Sequence, residues 1–337
     1  MIINNKHIKN YRKMKRIFLM LALSLATYAI TIAQTPSQER VTKSPVYFVE
    51  DISPESLMKI YQVLGREATG RVAIKISTGE QGNPHYLNPE LIKDFVHAVN
   101  GTIVECNTAY GGSRATTDVH RTTIAEHGFD KIATVDIMDE NGEVSIPVPV
   151  GSKYLSKDIV GEHMLNYDFM VVLSHFKGHA MGGFGGALKN MSIGCASSNG
   201  KAYIHTAGKH ETLQNDTWTP ANLAGVDEFK DAMAESAGAI INHFANNIIY
   251  INVMNNLSVD CDCDGHPAEP KMKNVGIMAS LDPVALDQAC VDMVMNSNDD
   301  GNRDLVERIV SRHGTRILYW AQHLNLGSRD YTLVHVK

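Results

Sequence analysis

Short apolar runs and longer amphipathic stretches alternate along most of this 337-residue chain. Residues 46–49, 71–76, 102–106, 132–137, 169–173, 248–254 and 274–280 are mostly apolar and short enough to be strands. The stretches between them carry helix signals. Ser53 precedes Pro54 and predicts a helix over 54–64, because Ser caps a helix and Pro is tolerated at its first position. Asn88-Pro89 opens a second over 90–99, and others are expected over 117–128, 226–243, 284–295 and 303–313. The turn Leu281-Asp282-Pro283 leads into the helix over 284–295. Residues 333–336 read as an edge strand. Strands that alternate with helices predict an α/β fold with a mostly parallel or mixed sheet and helices on both faces. Ligands in such sheets lie beyond the carboxyl ends of the strands. One large domain and two lobes both fit the length, and no repeat, low-complexity segment or linker separates them.

The start of the chain is built differently. Lys6, Lys9, Arg12, Lys13, Lys15 and Arg16 precede an apolar run over 17–33 that ends in Thr31-Ile32-Ala33. That order predicts a signal peptide over 1–33, a flexible polar leader over 34–44 and a single α/β domain over 45–337. The run is short for a membrane span, and no Cys follows it to carry a lipid anchor. The expected product is exported and soluble, periplasmic or extracellular, with no integral membrane segment after cleavage.

Cleavage changes the charge. The whole chain has 31 Lys+Arg against 37 Asp+Glu, and loss of the six basic leader residues leaves 25 and a formal charge of −12. An acidic chain without a basic stripe is a poor binder of nucleic acid, which is not an expected partner. Five cysteines, an odd number, leave at least one unpaired and are too few for a disulfide scaffold. Cys106 and Cys290 lie in apolar segments and read as small hydrophobes.

Candidate chemistry concentrates where the strand over 169–173 ends. Residues 174–190 hold His175, His179, Lys177, Lys189 and five glycines, Gly178, Gly182, Gly183, Gly185 and Gly186. Glycines let a backbone approach a ligand closely, and free N–H groups in such a loop can cradle an anion. Ordinary solvated turns rarely need so many glycines beside four basic groups. His175, His179, Lys189 and His205 are therefore the candidate catalytic residues. Lys177, Gly182, Gly183, Gly185, Gly186, Asn190 and Arg114 are the candidate ligand contacts. Arg114 closes a second glycine turn, over 107–114, which also follows a strand and is expected on the same sheet edge. Lys189 can neutralise a carboxylate or phosphate, or form a covalent adduct. The expected partner is a small anionic ligand or a metal ion.

Residues 259–267 offer a second constellation, Asp260-Cys261-Asp262-Cys263-Asp264-Gly265-His266. Cys261, Cys263 and His266 are soft ligands for a transition metal. Cys261 and Cys263 can instead pair as a redox-active disulfide, or the segment can be an acidic turn with idle thiols. A calcium loop is disfavoured, because Lys271 stands where a bidentate Glu is required.

Three blocks, in order, resemble a known family. Lys177-Gly178-His179 with Ala187-Leu188-Lys189-Asn190, then Asp260-Cys261-Asp262-Cys263, then Val275 to Ala289 with its Ser280-Leu281-Asp282-Pro283-Val284-Ala285-Leu286-Asp287 run, are similar to the domain of unknown function 362 family. The resemblance spans roughly 45–330, and the family's reaction is unassigned. Some members are described as iron–sulfur proteins with a ferredoxin-like cysteine insert near this block. Only residues 265–273 stand there in this chain, with no Cys, so an iron–sulfur cluster is not expected. His175-Phe176, the glycine run and Lys189 are also similar to one loop of nickel-pincer lactate racemases. That likeness implies a ligand held by Lys189 and proton transfer or metal binding by His175, His179 or His205. The functional expectation is a metal-assisted enzyme, an oxidoreductase or isomerase, acting on a small anionic substrate. The alternative is a non-catalytic metal or small-ligand binding protein using Cys261, Cys263 and His266.

Overall fold

The computed structural model describes residues 43–337. The expected signal peptide and all but the last two residues of the expected leader lie outside the described residues.

Among the described residues the elements are β1 (Ser44–Val49), α1 (Pro54–Val63), β2 (Val72–Lys75), α2 (Pro89–Ala98), β3 (Gly101–Glu105), α3 (Thr117–His127), β4 (Val135–Ile137), β5 (Glu143–Ile146), β6 (Asp158–Gly161), β7 (Phe169–His175), β8 (Lys177–His179), β9 (Gly183–Gly185), α4 (Ala187–Cys195), α5 (Ser198–His205), α6 (Val226–Phe244), β10 (Ile248–Met254), β11 (Gly276–Ser280), α7 (Pro283–Met295), α8 (Arg303–Ser311), α9 (Arg316–His323) and β12 (Tyr331–His335). The helix starts follow the capping residues. Ser53 accepts the Ser56 N–H at 3.2 Å, Asn88 the Glu90 N–H at 3.0 Å, and Asp282 the N–H groups of Val284 and Ala285.

Eight strands form one sheet in the order β12-β1-β11-β10-β7-β2-β3-β4. The five from β10 to β4 are parallel, and β11 runs antiparallel between β10 and β1. The strand period of two splits each buried strand between two cores. In β7, Phe169, Val171 and Leu173 pack with Leu57 and Ile60 of α1 and Ile92 and Phe95 of α2. Met170 and Val172 face the other way, onto Leu188 and Met191 of α4, Ile240 of α6 and Leu286 of α7. The sheet is mixed and mostly parallel, with helices on both faces, as the pattern predicts. Truncating Phe169 to Ala in such a core costs about 3–5 kcal/mol.

Some elements differ from the sequence reading. A 3-10 turn at Phe129–Lys131 shortens the strand expected over 132–137, and the one over 274–280 begins only at Gly276. The expected edge strand is β12, which pairs with β1 alone. The hairpins β5–β6 and β8–β9 and the helices α4 and α5 carry no clear periodic signal, whereas the short helix α9 is amphipathic, burying Ile317, Leu318 and Ala321, and lies outside the expected helices. Helix α4 is buried on most sides and opens after Gly186, so it shows no polar stripe.

Candidate functional site

The carboxyl ends of β2, β3, β7 and β10 share one edge of the sheet, because these strands are parallel. Two adjoining hollows of about 60 Å³ each open there. Both are bordered by Ser77, Lys189, Asn190 and Cys263. One adds His175, Lys177, Gly185, Gly186, Cys261 and Asp262, and the other adds Lys75, Glu105, Thr108, Tyr110, Arg114 and Lys201. Five Lys and Arg side chains line this cleft against two carboxylates, so it is positive inside an acidic protein. A larger hollow of about 530 Å³ lies at the opposite edge, around Arg71, His97 and Asn100. It lacks a comparable cluster of convergent charges, and the chemistry lies with the smaller cleft.

Helix α4 presents Lys189, and two polar anchors fix that helix. Asp287 of α7 is buried, and its carboxylate accepts the Ala187 and Leu188 N–H groups at 2.8 and 2.9 Å and the Asn252 amide at 2.8 Å. Gly186 is required there, because a Cβ would collide with that carboxylate. Asn190 donates to the Lys75 and Leu173 carbonyls at 3.0 and 3.3 Å and to the Ser174 hydroxyl at 3.0 Å. Thus the Asn ties α4 to β2 and β7, and the Asp closes its first turn. The expectation that free N–H groups after the glycines cradle an anion is corrected, because the protein's own carboxylate takes them. Gly182 and Gly183 do not line the cleft either. The Gly182 N–H donates to His179, and Gly183 packs against Gly314 and the Ile309 carbonyl. Gly185 and Gly186 do border it.

The Lys189 ammonium makes no hydrogen bond or ion pair among the described residues, although its side chain is half-buried. Burial pushes its pKa down to about 8, helped by the charges of Arg114 and Lys75 and opposed by Asp262 and Glu105. The other cations are engaged. Lys177 donates to Asp262 at 2.7 Å and to the His85 carbonyl at 3.1 Å. Lys75 faces Glu105 at 3.5 Å, and Arg114 bridges Glu80 at 3.1 Å and Glu105 at 3.4 Å. Lys201 donates to the Ala196 carbonyl at 2.5 Å.

The histidines are more constrained than their spacing suggests. His175 faces the Asn255 carbonyl at 2.7 Å and the Asp262 carboxylate at 3.1 Å, so both its nitrogens are occupied. His179 Nδ1 accepts the Met181 and Gly182 N–H groups at 3.2 and 2.7 Å, which leaves the proton of the neutral ring on Nε2. Burial lowers its pKa well below the usual value, and Lys189 adds to this. His205 donates from Nδ1 to the Lys201 carbonyl at 2.7 Å and stands behind Tyr110, with ring centroids 5.5 Å apart. Burial pushes its pKa down to about 4. Lys189 contributes to that shift too, so His179, His205 and Lys189 share one electrostatic neighbourhood.

Cys261 and Cys263 are disulfide-bonded. Asp262 between them turns inward to Lys177 and His175, whose charges hold its carboxyl far below the usual range against the effect of burial. Both cysteines border the cleft. Gly178 lets β8 lie against this segment, since a Cβ would collide with the Val259 carbonyl. His266, expected beside the thiols, is exposed. The imidazole near both sulfurs is that of His179, and donor atoms of the three lie within 4.8 Å of one another. That spacing suits a metal ion, but in this oxidised form the sulfurs are bonded together and Nδ1 is taken, so the set does not fit one. Asp136, Glu140 and His163 form a second group of that spacing, away from the cleft.

Lys75, Glu80 and Glu105 were not singled out from the sequence. The available signal was a charge inside an apolar run, Val72-Ala73-Ile74-Lys75-Ile76 and Ile103-Val104-Glu105-Cys106. Among the described residues no helix is long and apolar enough to cross a membrane.

The chain belongs to the family described as Domain of unknown function (DUF362), which it matches over residues 72–292. No curated protein sequence matches it. Among solved structures it is similar to the lactate racemase apoprotein from Thermoanaerobacterium thermosaccharolyticum, at 15% identity and a TM-score of 0.41, covering 71% of this chain and 54% of that one. It is also similar to a structural-genomics protein from Thermotoga maritima, at 10% identity and a TM-score of 0.40, covering 82% of this chain and 61% of that one. The chain thus spans less than two thirds of either structure's length.

Proposed function

We propose that this member of the DUF362 family is an enzyme acting on a small anionic molecule in the carboxyl-edge cleft, with Lys189 as the group that meets it. One observation carries this reading. Lys189 borders both hollows and, among the described residues, has no protein acceptor, whereas Lys75, Lys177, Lys201 and Arg114 each have one. An incoming carboxylate or phosphate supplies that missing partner. With its pKa near 8, the same amine is partly neutral in mildly alkaline solution and can attack a carbonyl. The reading needs no metal at Cys261 and Cys263 in their oxidised form. Export is also proposed, on the basic start of the chain, its apolar run and Thr31-Ile32-Ala33. A disulfide suits an oxidising compartment. N-terminal sequencing of secreted material should begin after residue 33, and a start at or before residue 17 sinks the export proposal.

The test is Lys189→Ala, with pyruvate and inorganic phosphate as probes in calorimetry. The variant should lose at least tenfold in affinity, while its stability moves by no more than about 0.5 kcal/mol, since few apolar contacts are removed. Unchanged affinity for both probes refutes the reading. A loss of affinity that tracks a large loss of stability makes Lys189 a structural residue instead.

A further inference from the structure

The disulfide Cys261–Cys263 opens onto the cleft, and the reading above gives it no task. Cys263 is half-buried and borders both hollows, whereas Cys261 is buried and borders one. The segment is held firmly. Asp262 is locked onto Lys177 and His175, its carbonyl accepts the Glu80 N–H at 2.7 Å, and the Asn83 amide donates to the Asp264 carbonyl at 2.8 Å. The two sulfurs are also unequal electronically. Cys261 Sγ accepts the Cys263 N–H at 3.2 Å, so charge arriving on that sulfur meets a donor already in place. The neutral imidazole of His179, with its proton on Nε2, stands beside the pair. The other three cysteines are buried and unpaired; of these, Cys106 also borders the second hollow, so peptide mapping must distinguish it from Cys263.

We propose that Cys261–Cys263 is a thiol–disulfide exchange centre for small anionic thiols, with Cys263 the sulfur attacked and Cys261 the sulfur that leaves. The anionic preference rests on the reading of Lys189 above, and the exchange itself does not. A substrate thiolate attacks Cys263 Sγ. The Cys261–Cys263 bond breaks, its electron pair stays on Cys261 Sγ, and that sulfur takes a proton from solvent. A second substrate thiolate attacks the substrate sulfur of the mixed disulfide. The substrate disulfide departs, and Cys263 is released and protonated. A disulfide of another small thiol then re-forms Cys261–Cys263 by the reverse steps and leaves as two thiols. Two electrons and two protons pass from one pair of thiols to the other, and no further oxidant is needed.

The experiment uses the native protein and two probes of opposite charge, 2-mercaptoethanesulfonate and cysteamine. Acid quenching and peptide mass mapping locate the adduct. The adduct should sit on Cys263, and the rate per thiolate should be on the order of tenfold higher for the anionic probe, from one added positive charge in a partly screened cleft. Lys189→Ala should narrow that preference from both sides, slowing the anionic probe and speeding the cationic one, because one repelling positive charge is gone while Lys75, Lys177, Lys201 and Arg114 remain. In a second measurement, Cys261→Ser should form a stable adduct with the oxidised sulfonate probe, and Cys263→Ser should form none. An adduct on Cys261, or no adduct in folded protein, overturns the exchange centre. A Cys263 adduct formed equally fast from both probes keeps the exchange and overturns the anionic substrate class, and with it the reading of Lys189.

Discussion

Glu105→Gln tests the electrostatic frame of the cleft. Glu105 is buried and its carboxylate faces Lys75 at 3.5 Å, Arg114 at 3.4 Å and the Thr78 hydroxyl at 2.7 Å. Burial alone would raise its pKa, but Lys75 and Arg114 prevail and hold it at about 2 against an ordinary 4.5. At about 1.4 kcal/mol per tenfold change in proton affinity, that corresponds to about 3 kcal/mol of stability at neutral pH. Breaking a buried pair by removing one partner costs a similar 3–5 kcal/mol, roughly, by general experience. The folded pKa is depressed, so the stabilisation is complete above about 4.5 and is lost as pH falls through about 2. Gln keeps the shape but removes the charge that Lys75 and Arg114 share. Urea unfolding of wild type and variant, followed by tryptophan fluorescence, should show a gap of about 3 kcal/mol at pH 7 and about 1 kcal/mol at pH 3. A gap under 1 kcal/mol at pH 7, or one that does not narrow in acid, refutes this account of how the two basic groups are held.

Asp287→Ala should cost about 3 kcal/mol in thermal or urea unfolding, because it strands two buried N–H groups and the Asn252 amide. The pH sense at this site is opposite to that at Glu105. Burial raises the Asp287 carboxyl to about 6, so wild type should lose stability relative to Asp287→Asn as pH climbs from about 4 to about 6. A flat difference over that range contradicts the burial argument. Pyruvate binding should weaken as pH rises through about 8, where the Lys189 amine loses its charge, and in Lys189→Ala calorimetry should show no such decline.

The elements legible in the sequence are those whose burial writes a simple pattern. Strands β7 and β10 lie at the middle of a parallel sheet, covered on both faces, so they appear as continuous apolar runs. Helices α1, α2 and α7 begin at residues whose side chains do cap them. Less legible was everything that depends on a partner distant in sequence. Lys75 and Glu105 look like charges leaving strand ends until the fold puts them together with Arg114. His266 follows the cysteines in the chain, but His179 is beside them in space, because β8 runs past the Cys segment.

The motif residues divide by which way they face, and that division decides what a mutation can reveal. Asp287 and Asn190 come from segments separated by about a hundred residues, yet both act on α4, one at its first turn and one against the sheet. Asp262 and Gly178 likewise act on the Cys segment, one as its ionic anchor and one by admitting β8. Each is tied to the protein's own groups, even where Asn190 and Asp262 also border the cleft, so replacing it moves a neighbour, and binding and stability should fall together. Lys189 and Cys263 are what those anchors deliver to the cleft. Lys189 has no partner among the described residues, and Cys263 has only its disulfide. Only at such positions can chemistry be lost with the fold intact, and a protein that loses function at Asn190 or Asp287 alone would say nothing about the reaction.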